Sequence, residues 1–122
     1  MAKVVIERMY GLPYCSTCVK AETFLKDYGA TVKRFINVKE EAVTKKELQE
    51  LAALLGGVDK LFSKRAMKYR AMGLDKMTLS DGDMLKHMQE EYTFIKRPTI
   101  VTSDGRALSG FSEKQYKALL GI

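Results

Sequence analysis

The sequence predicts an α/β fold in which a β-α-β half and a β-β-α half share one four-stranded mixed sheet. A helical insertion at about residues 40–92 separates the halves. Three observations predict this. A strand, helix and strand pattern fills the first forty or so residues, a helical block with its own caps follows, and an apolar strand begins again after Pro98.

Residues 3–9 are rich in β-branched side chains and read as the first strand. Gly11, Leu12 and Pro13 break it, and the loop carrying Cys15 enters a helix over about residues 17–27. Cys18, Ala21, Leu25 and Tyr28 are spaced for one buried face of that helix, and Gly29 ends it. Residues 31–38 alternate as a second strand, with Val32 and Ile36 among its apolar members. So compact a strand–helix–strand unit implies parallel strands and a right-handed crossover.

The insertion is helical and well punctuated. Thr44 with Glu47 forms a capping box, Val43 with Leu48 a hydrophobic staple, and Leu48, Leu51, Ala52 and Leu55 a core stripe stopped at Gly56-Gly57. A shorter helix is expected over residues 64–72, ending at Gly73. Ser80 with Asp83 repeats the box, the Leu79/Met84 pair the staple, and Met84, Leu85, Met88 and Tyr92 supply a buried face. Methionines at this spacing read as core filler, and the lone His87 as a surface or capping residue.

After Pro98, residues 99–102 form a strand, Ser103-Asp104-Gly105 a turn, and residues 106–108 a short antiparallel return strand. Ser112 with Gln115 and Phe111 with Tyr116 repeat the box and the staple at the start of a last helix that runs to about residue 120. A β-α-β half and a β-β-α half sharing a mixed sheet is the thioredoxin arrangement. No linker, repeat or low-complexity tract divides the chain, so one domain spanning residues 1–122 is expected.

With 122 residues, 46% of them hydrophobic, the chain suits one compact core. Two cysteines are too few for a disulfide scaffold, and one Cys-x-x-Cys with His87 far away is too little for a structural zinc. Met1-Ala2-Lys3 and Val4-Val5-Ile6, followed at once by Glu7 and Arg8, are too short for a secretion signal, and no apolar run reaches transmembrane length. A cytoplasmic protein is expected, in which a dithiol is normally held reduced. The net charge of +6 has one local concentration, Lys60, Lys64, Arg65, Lys68, Arg70 and Lys76, which reads as a solvated face or as a contact for an acidic partner. No signature of direct base reading is present, so sequence-specific nucleic-acid binding is not expected.

The chemistry centres on Cys15-Ser16-Thr17-Cys18 at the strand–helix junction. Cys15 falls where free backbone N–H groups and the helix dipole favour an anion. Lowering a thiol pKa from about 8.5 to about 7 raises its ionised fraction at neutral pH from roughly 3% to roughly half. Ser16 and Thr17 could add hydroxyl donors. Cys18, one turn on and shielded, suits a resolving thiol that displaces an adduct on Cys15 as an internal disulfide. Pro98 starts the strand that could bring a cis peptide beside the thiol, and Arg97 would carry positive charge to the same place.

These residues resemble the ArsC/Spx/YffB family, the arsenate-reductase-like branch of the thioredoxin superfamily, over nearly the whole chain. Tyr10-Gly11 before Cys15, then Thr17 and Lys20-Ala21, are similar to the YffB nucleophile loop and first helix. Ile95-Lys96-Arg97-Pro98 resembles the family's Arg-Pro motif, and Gly110-Phe111-Ser112 the motif that opens its last helix. The resemblance implies a thiol-disulfide oxidoreductase with Cys15, Cys18 and Arg97 catalytic, and with Arg65, Ser16, Thr17 and Pro98 tuning the thiolate or holding an anionic group. It implies no bound cofactor, glutathione as a co-substrate, and a small or protein disulfide as substrate. An alternative is a Spx-like redox switch that binds the RNA polymerase α subunit, since Gly57 and Arg65 match positions that serve this in Spx. A further alternative is arsenate reduction, although Val19 and Gly110 stand where that branch has arginines.

Overall fold

A computed structural model describes residues 4–122, so Lys3, placed in the first predicted strand, lies outside the described residues. The chain forms two compact units. One comprises the chain up to Glu41 with Arg97–Ile122, and the other Ala42–Lys96.

The first unit is a mixed sheet with two helices and has a thioredoxin-like fold. Its elements are β1 (Val5–Gly11), α1 (Ser16–Asp27), β2 (Thr31–Val32), β3 (Phe35–Asn37), β4 (Thr99–Thr102), β5 (Ala107–Ser109) and α5 (Glu113–Leu120). The sheet order is β2-β1-β4-β5, with β3 also on β1. β2 and β3 run parallel to β1, whereas β4 is antiparallel to both β1 and β5.

The predicted second strand is therefore two short strands, making five in place of the expected four. The two keep one register on β1, with Ile6 opposite Val32 and Met9 opposite Phe35. The gap at Lys33 and Arg34 lies level with a bulge in β1, where pairing to β4 shifts between Ile6 and Arg8. A bulge adds local twist, and here only single bonds span the gap: Lys33 N–H to Ile6 O and Met9 N–H to Arg34 O, both 2.9 Å. The bulge also explains why β1 buries Ile6 and then Met9 on the core side, three residues apart rather than two.

That core side gathers Ile6, Met9, Ile100, Cys18, Ala21, Phe24, Leu25, Tyr116 and Leu119, so α1 and α5 cover the same cluster. Tyr28 does not join it, contrary to the predicted face of α1. The helix ends at Asp27, Gly29 takes a φ of +75°, and Tyr28 turns outward with its ring 4.6 Å from Phe24, which is buried in its place. In the hairpin, Arg106 belongs to the turn and not to the strand. Its N–H is held at 2.9 Å by the Thr102 hydroxyl and its guanidinium at 2.9 Å by Asp104, so β5 starts one residue later than expected. Ser112 caps α5 by accepting from Gln115 N–H at 3.4 Å, and the Phe111 and Tyr116 rings meet edge-on at 4.8 Å.

The second unit holds α2 (Lys45–Leu55), α3 (Met67–Ala71) and α4 (Asp81–Glu90), with single 3₁₀ turns at Val58–Lys60, Leu74–Lys76 and Tyr92–Phe94. Both capping boxes predicted in this unit close in both directions, Thr44 with Glu47 and Ser80 with Asp83, whereas the one predicted at Ser112 and Gln115 has only the bond from Gln115 N–H to the Ser112 hydroxyl. Gly56, at φ +91°, is the left-handed cap of α2, and Gly57 follows by bonding its N–H to Ala52 O at 2.9 Å. α3 is shorter than predicted and buries none of its residues. Tyr92 lies in the turn beyond α4 and is half-buried. Phe94 is buried instead, stacked on Phe62 at 5.3 Å. The unit is tied by Ser63 N–H to Phe94 O at 2.6 Å and Lys96 N–H to Leu61 O at 2.8 Å.

Candidate active site

The site lies where β1 ends. Gly11 and Leu12 are buried, Pro13 and Tyr14 face solvent, and the Cys15 N–H bonds back to Leu12 O at 3.3 Å. This turn brings Cys15 to the N-cap of α1 with extended backbone (φ −78°, ψ 121°). Its carbonyl accepts the first helical bond, from Val19 N–H at 2.9 Å. The Cys15 sulfur is thus placed at the end of the helix where N–H groups have no helical acceptor.

The two sulfurs experience opposite forces. Partial burial pushes the Cys15 thiol up. The Cys18 backbone N–H, the Cys18 thiol, the Thr17 backbone N–H and the Arg97 charge outweigh it, leaving Cys15 below its ordinary value. Cys18 is fully buried in the core, and that burial pushes it up to about 12. The Leu12 backbone N–H and Arg97 oppose the rise, whereas hydrogen bonding and charge from Cys15 add to it. The geometry therefore separates a half-buried thiol that ionises more readily than usual from a fully buried, protonated one.

Arg97 is half-buried, and its peptide to the buried Pro98 is cis. The Pro98 carbonyl accepts Gly110 N–H at 2.7 Å, which links the start of β4 to the segment entering α5. Of the hydroxyl-bearing pair, Thr17 acts on the sulfur through its backbone N–H, and Ser16 is exposed at the first position of α1. Cys15, Cys18, Thr17, Arg97 and Pro98 all belong to the first unit. Arg65 and Gly57 belong to the second, Arg65 exposed ahead of α3 and Gly57 between α2 and the next turn.

Two residues matter beyond those singled out from sequence. Gly11, expected to break the first strand, is instead the last residue of β1, paired with Asn37, and a Cβ built on it would lie 2.8 Å from Cys18 Sγ and 3.3 Å from the Phe35 ring. A glycine inside a strand marks such close approaches, and that was the available signal. Tyr116, read only as a staple, is fully buried and donates its hydroxyl to Gly110 O at 3.3 Å. Burial raises its phenol, and charge at Cys18 raises it further. Among the described residues no three His, Cys, Asp or Glu side chains converge as metal ligands, and no helix is long and apolar enough to cross a membrane.

The model of the ArsC family matches residues 10–119. The chain is 32% identical to YusI of Bacillus subtilis (strain 168), over 88% of this chain and 92% of that protein. It is 28% identical to the global transcriptional regulator Spx of Streptococcus pneumoniae (strain ATCC BAA-255 / R6), over 88% of this chain and 80% of that one. The solved structure of a YffB protein superposes with a TM-score of 0.81 at 25% identity, covering 93% of this chain and 97% of the other.

Proposed function

The chain belongs to the ArsC family, and from that membership and the Cys15 site we propose that it is a thiol–disulfide oxidoreductase with Cys15 as nucleophile and Cys18 as resolving thiol. The observation that carries this reading is the placement of two thiols at one helix start, Cys15 half-buried at the N-cap of α1 and Cys18 fully buried one turn on. The Cys15 thiolate attacks one sulfur of a substrate disulfide, forming a mixed disulfide and releasing the first substrate thiolate. The adduct removes the Cys15 charge, one of the influences that hold Cys18 protonated. Burial still opposes ionisation of Cys18, but the Leu12 N–H and Arg97 now act without the Cys15 charge against them, and the proton passes to solvent as the sulfur attacks. Cys18 attacks Cys15 Sγ, closing the internal disulfide and releasing the second substrate thiolate. Two electrons pass from the pair to the substrate.

Pro98 would shape the wall beside Cys15. Glutathione is the co-substrate we assign for returning the pair to the dithiol, with Arg97 offered to its carboxylates. The test is reduction of insulin disulfides by the pre-reduced protein. Activity should vanish in Cys15→Ser, and Cys18→Ser should stall as a mixed disulfide on Cys15. Undiminished reduction by Cys15→Ser would falsify the assignment.

The 28% identity to Spx favours a second reading, a redox switch whose Cys15–Cys18 disulfide alters binding to a transcription partner. Gly57 and Arg65 would then form part of a contact with the RNA polymerase α subunit. Capture of that subunit's C-terminal domain, lost in Gly57→Arg, with no turnover of disulfides would favour the switch over the enzyme.

A further inference from the structure

Beside the nucleophile loop the first unit has an open groove of about 470 Å³. It begins at Pro13, two residues before Cys15, and at Val19, whose N–H is bonded to the Cys15 carbonyl. From there it follows Glu22, Thr23 and Lys26 along α1 and ends at Ala30 and Val32. Val19, Glu22, Thr23 and Lys26 are spaced as neighbours on one helix face, which is turned away from the buried Cys18, Ala21, Phe24 and Leu25. Val32 belongs to β2, the outermost strand on that side of the sheet.

The chemistry of the lining selects an occupant. Pro13, Val19, Ala30 and Val32 are apolar, and the charged pair Glu22 and Lys26, four residues apart, balances to zero. Such a wall has no surplus positive charge for a small dicarboxylate such as glutathione. It suits polypeptide without net charge, with apolar side chains against Pro13, Val19, Ala30 and Val32 and backbone polar groups against Thr23. The apolar surface continues around the thiol, since Val19 is 47% and Tyr14 70% exposed. The seven helical steps from Val19 to Lys26 span about 10 Å, room for about three extended residues.

We propose that this groove holds the polypeptide flanking a substrate disulfide, so that Cys15 reacts with protein disulfides that have apolar neighbours in preference to small-molecule disulfides. The proposal rests on the oxidoreductase reading and names its substrate class. The exchange is the one written above: a peptide in the groove presents its sulfur to Cys15, and both substrate thiolates leave as the Cys15–Cys18 disulfide forms.

The test compares single-turnover rates of the pre-reduced protein with insulin and with oxidised glutathione. Thr23→Trp fills the groove from an exposed position, and Val19→Ser removes apolar wall. Each should lower the insulin-to-glutathione rate ratio about tenfold, with the insulin KM rising, which is the range that loss of a small apolar contact or a steric block commands. Circular dichroism and Cys15 alkylation establish that the variants fold around an intact thiol. A ratio unchanged in both variants overturns the groove assignment and leaves the oxidoreductase reading standing. A wild-type protein that reduces neither substrate overturns both.

Discussion

At the scale of single residues, the molecule separates two identical side chains by burial and by hydrogen-bond donors. Cys15 is half-buried and faces N–H groups, whereas Cys18 is fully buried. Iodoacetamide alkylation of Cys15 as a function of pH should therefore give a midpoint below the roughly 8.5 of an ordinary thiol. Arg97 favours the negative sulfur, so Arg97→Gln should move that midpoint upward. A downward or null shift would mean that the guanidinium does not act on the sulfur. Gly11 makes a different kind of prediction. Gly11→Ala sets a methyl 2.8 Å from Cys18 Sγ and should cost about 1–3 kcal/mol in urea denaturation. Part of that cost should disappear in the background of Cys18→Ala, because the sulfur it strikes is gone. Strict additivity of the two changes would place the strain elsewhere, for instance at Phe35.

At the scale of elements, side chains at chain turns decide the boundaries. Thr44 and Ser80 each satisfy an N3 backbone N–H, at 3.1 Å in both cases, and receive a reciprocal carboxylate on their own N–H. Thr44→Ala should destabilise the second unit by about 1 kcal/mol, read as a shift in its denaturation midpoint, with Thr44→Ser restoring most of the loss. Equal stability of the alanine variant would show that α2 is held by the packing of Leu48 and Leu51 alone. These caps were legible because each is local, a residue and its partner three positions on. The split of the second strand was not legible, because its cause lies across the sheet. The bulge at Ile6/Arg8 forms between β1 and β4, whose sequences are far apart. Tyr28 failed for a related reason: its periodicity was right, but the helix ended one residue before it.

At the scale of the molecule, burial of Cys18 couples its ionisation to folding. Its folded pKa, about 12, lies above the roughly 8.5 of an unfolded thiol. The folded state therefore resists losing that proton. The corresponding stability is fully present below pH 8.5 and is lost as pH rises from there toward 12. A single proton sets a limiting slope of about 1.4 kcal/mol per pH unit. Cys15 has the opposite sign: with its pKa lowered by folding, its stabilisation is present above the unfolded value and is lost as pH falls through the folded one. Urea midpoints measured between pH 8 and 11 should thus decline in the reduced protein, and less steeply in Cys18→Ala. The buried Tyr116 phenol, also raised, keeps a residual slope at the top of the range in both proteins. A decline equal in the two would assign the alkaline loss to Tyr116 and not to the resolving thiol.

Patterns local to the chain are enough to give the order of elements, the helix caps, the place of the cysteine pair at a strand–helix junction, and the family to which Arg97-Pro98 and Gly110-Phe111-Ser112 belong. Each of these depends on spacing along the chain, over one or two helical turns or a short motif. How different the two thiols are depends on contacts that exist only in the folded chain. That difference arises from the core cluster that closes over Cys18, from the Leu12 N–H and Gly11 that approach its sulfur, and from an arginine some eighty residues downstream of Cys15. Desolvation and charge act through space, and the groups that supply them meet only when the two halves of the sheet pair.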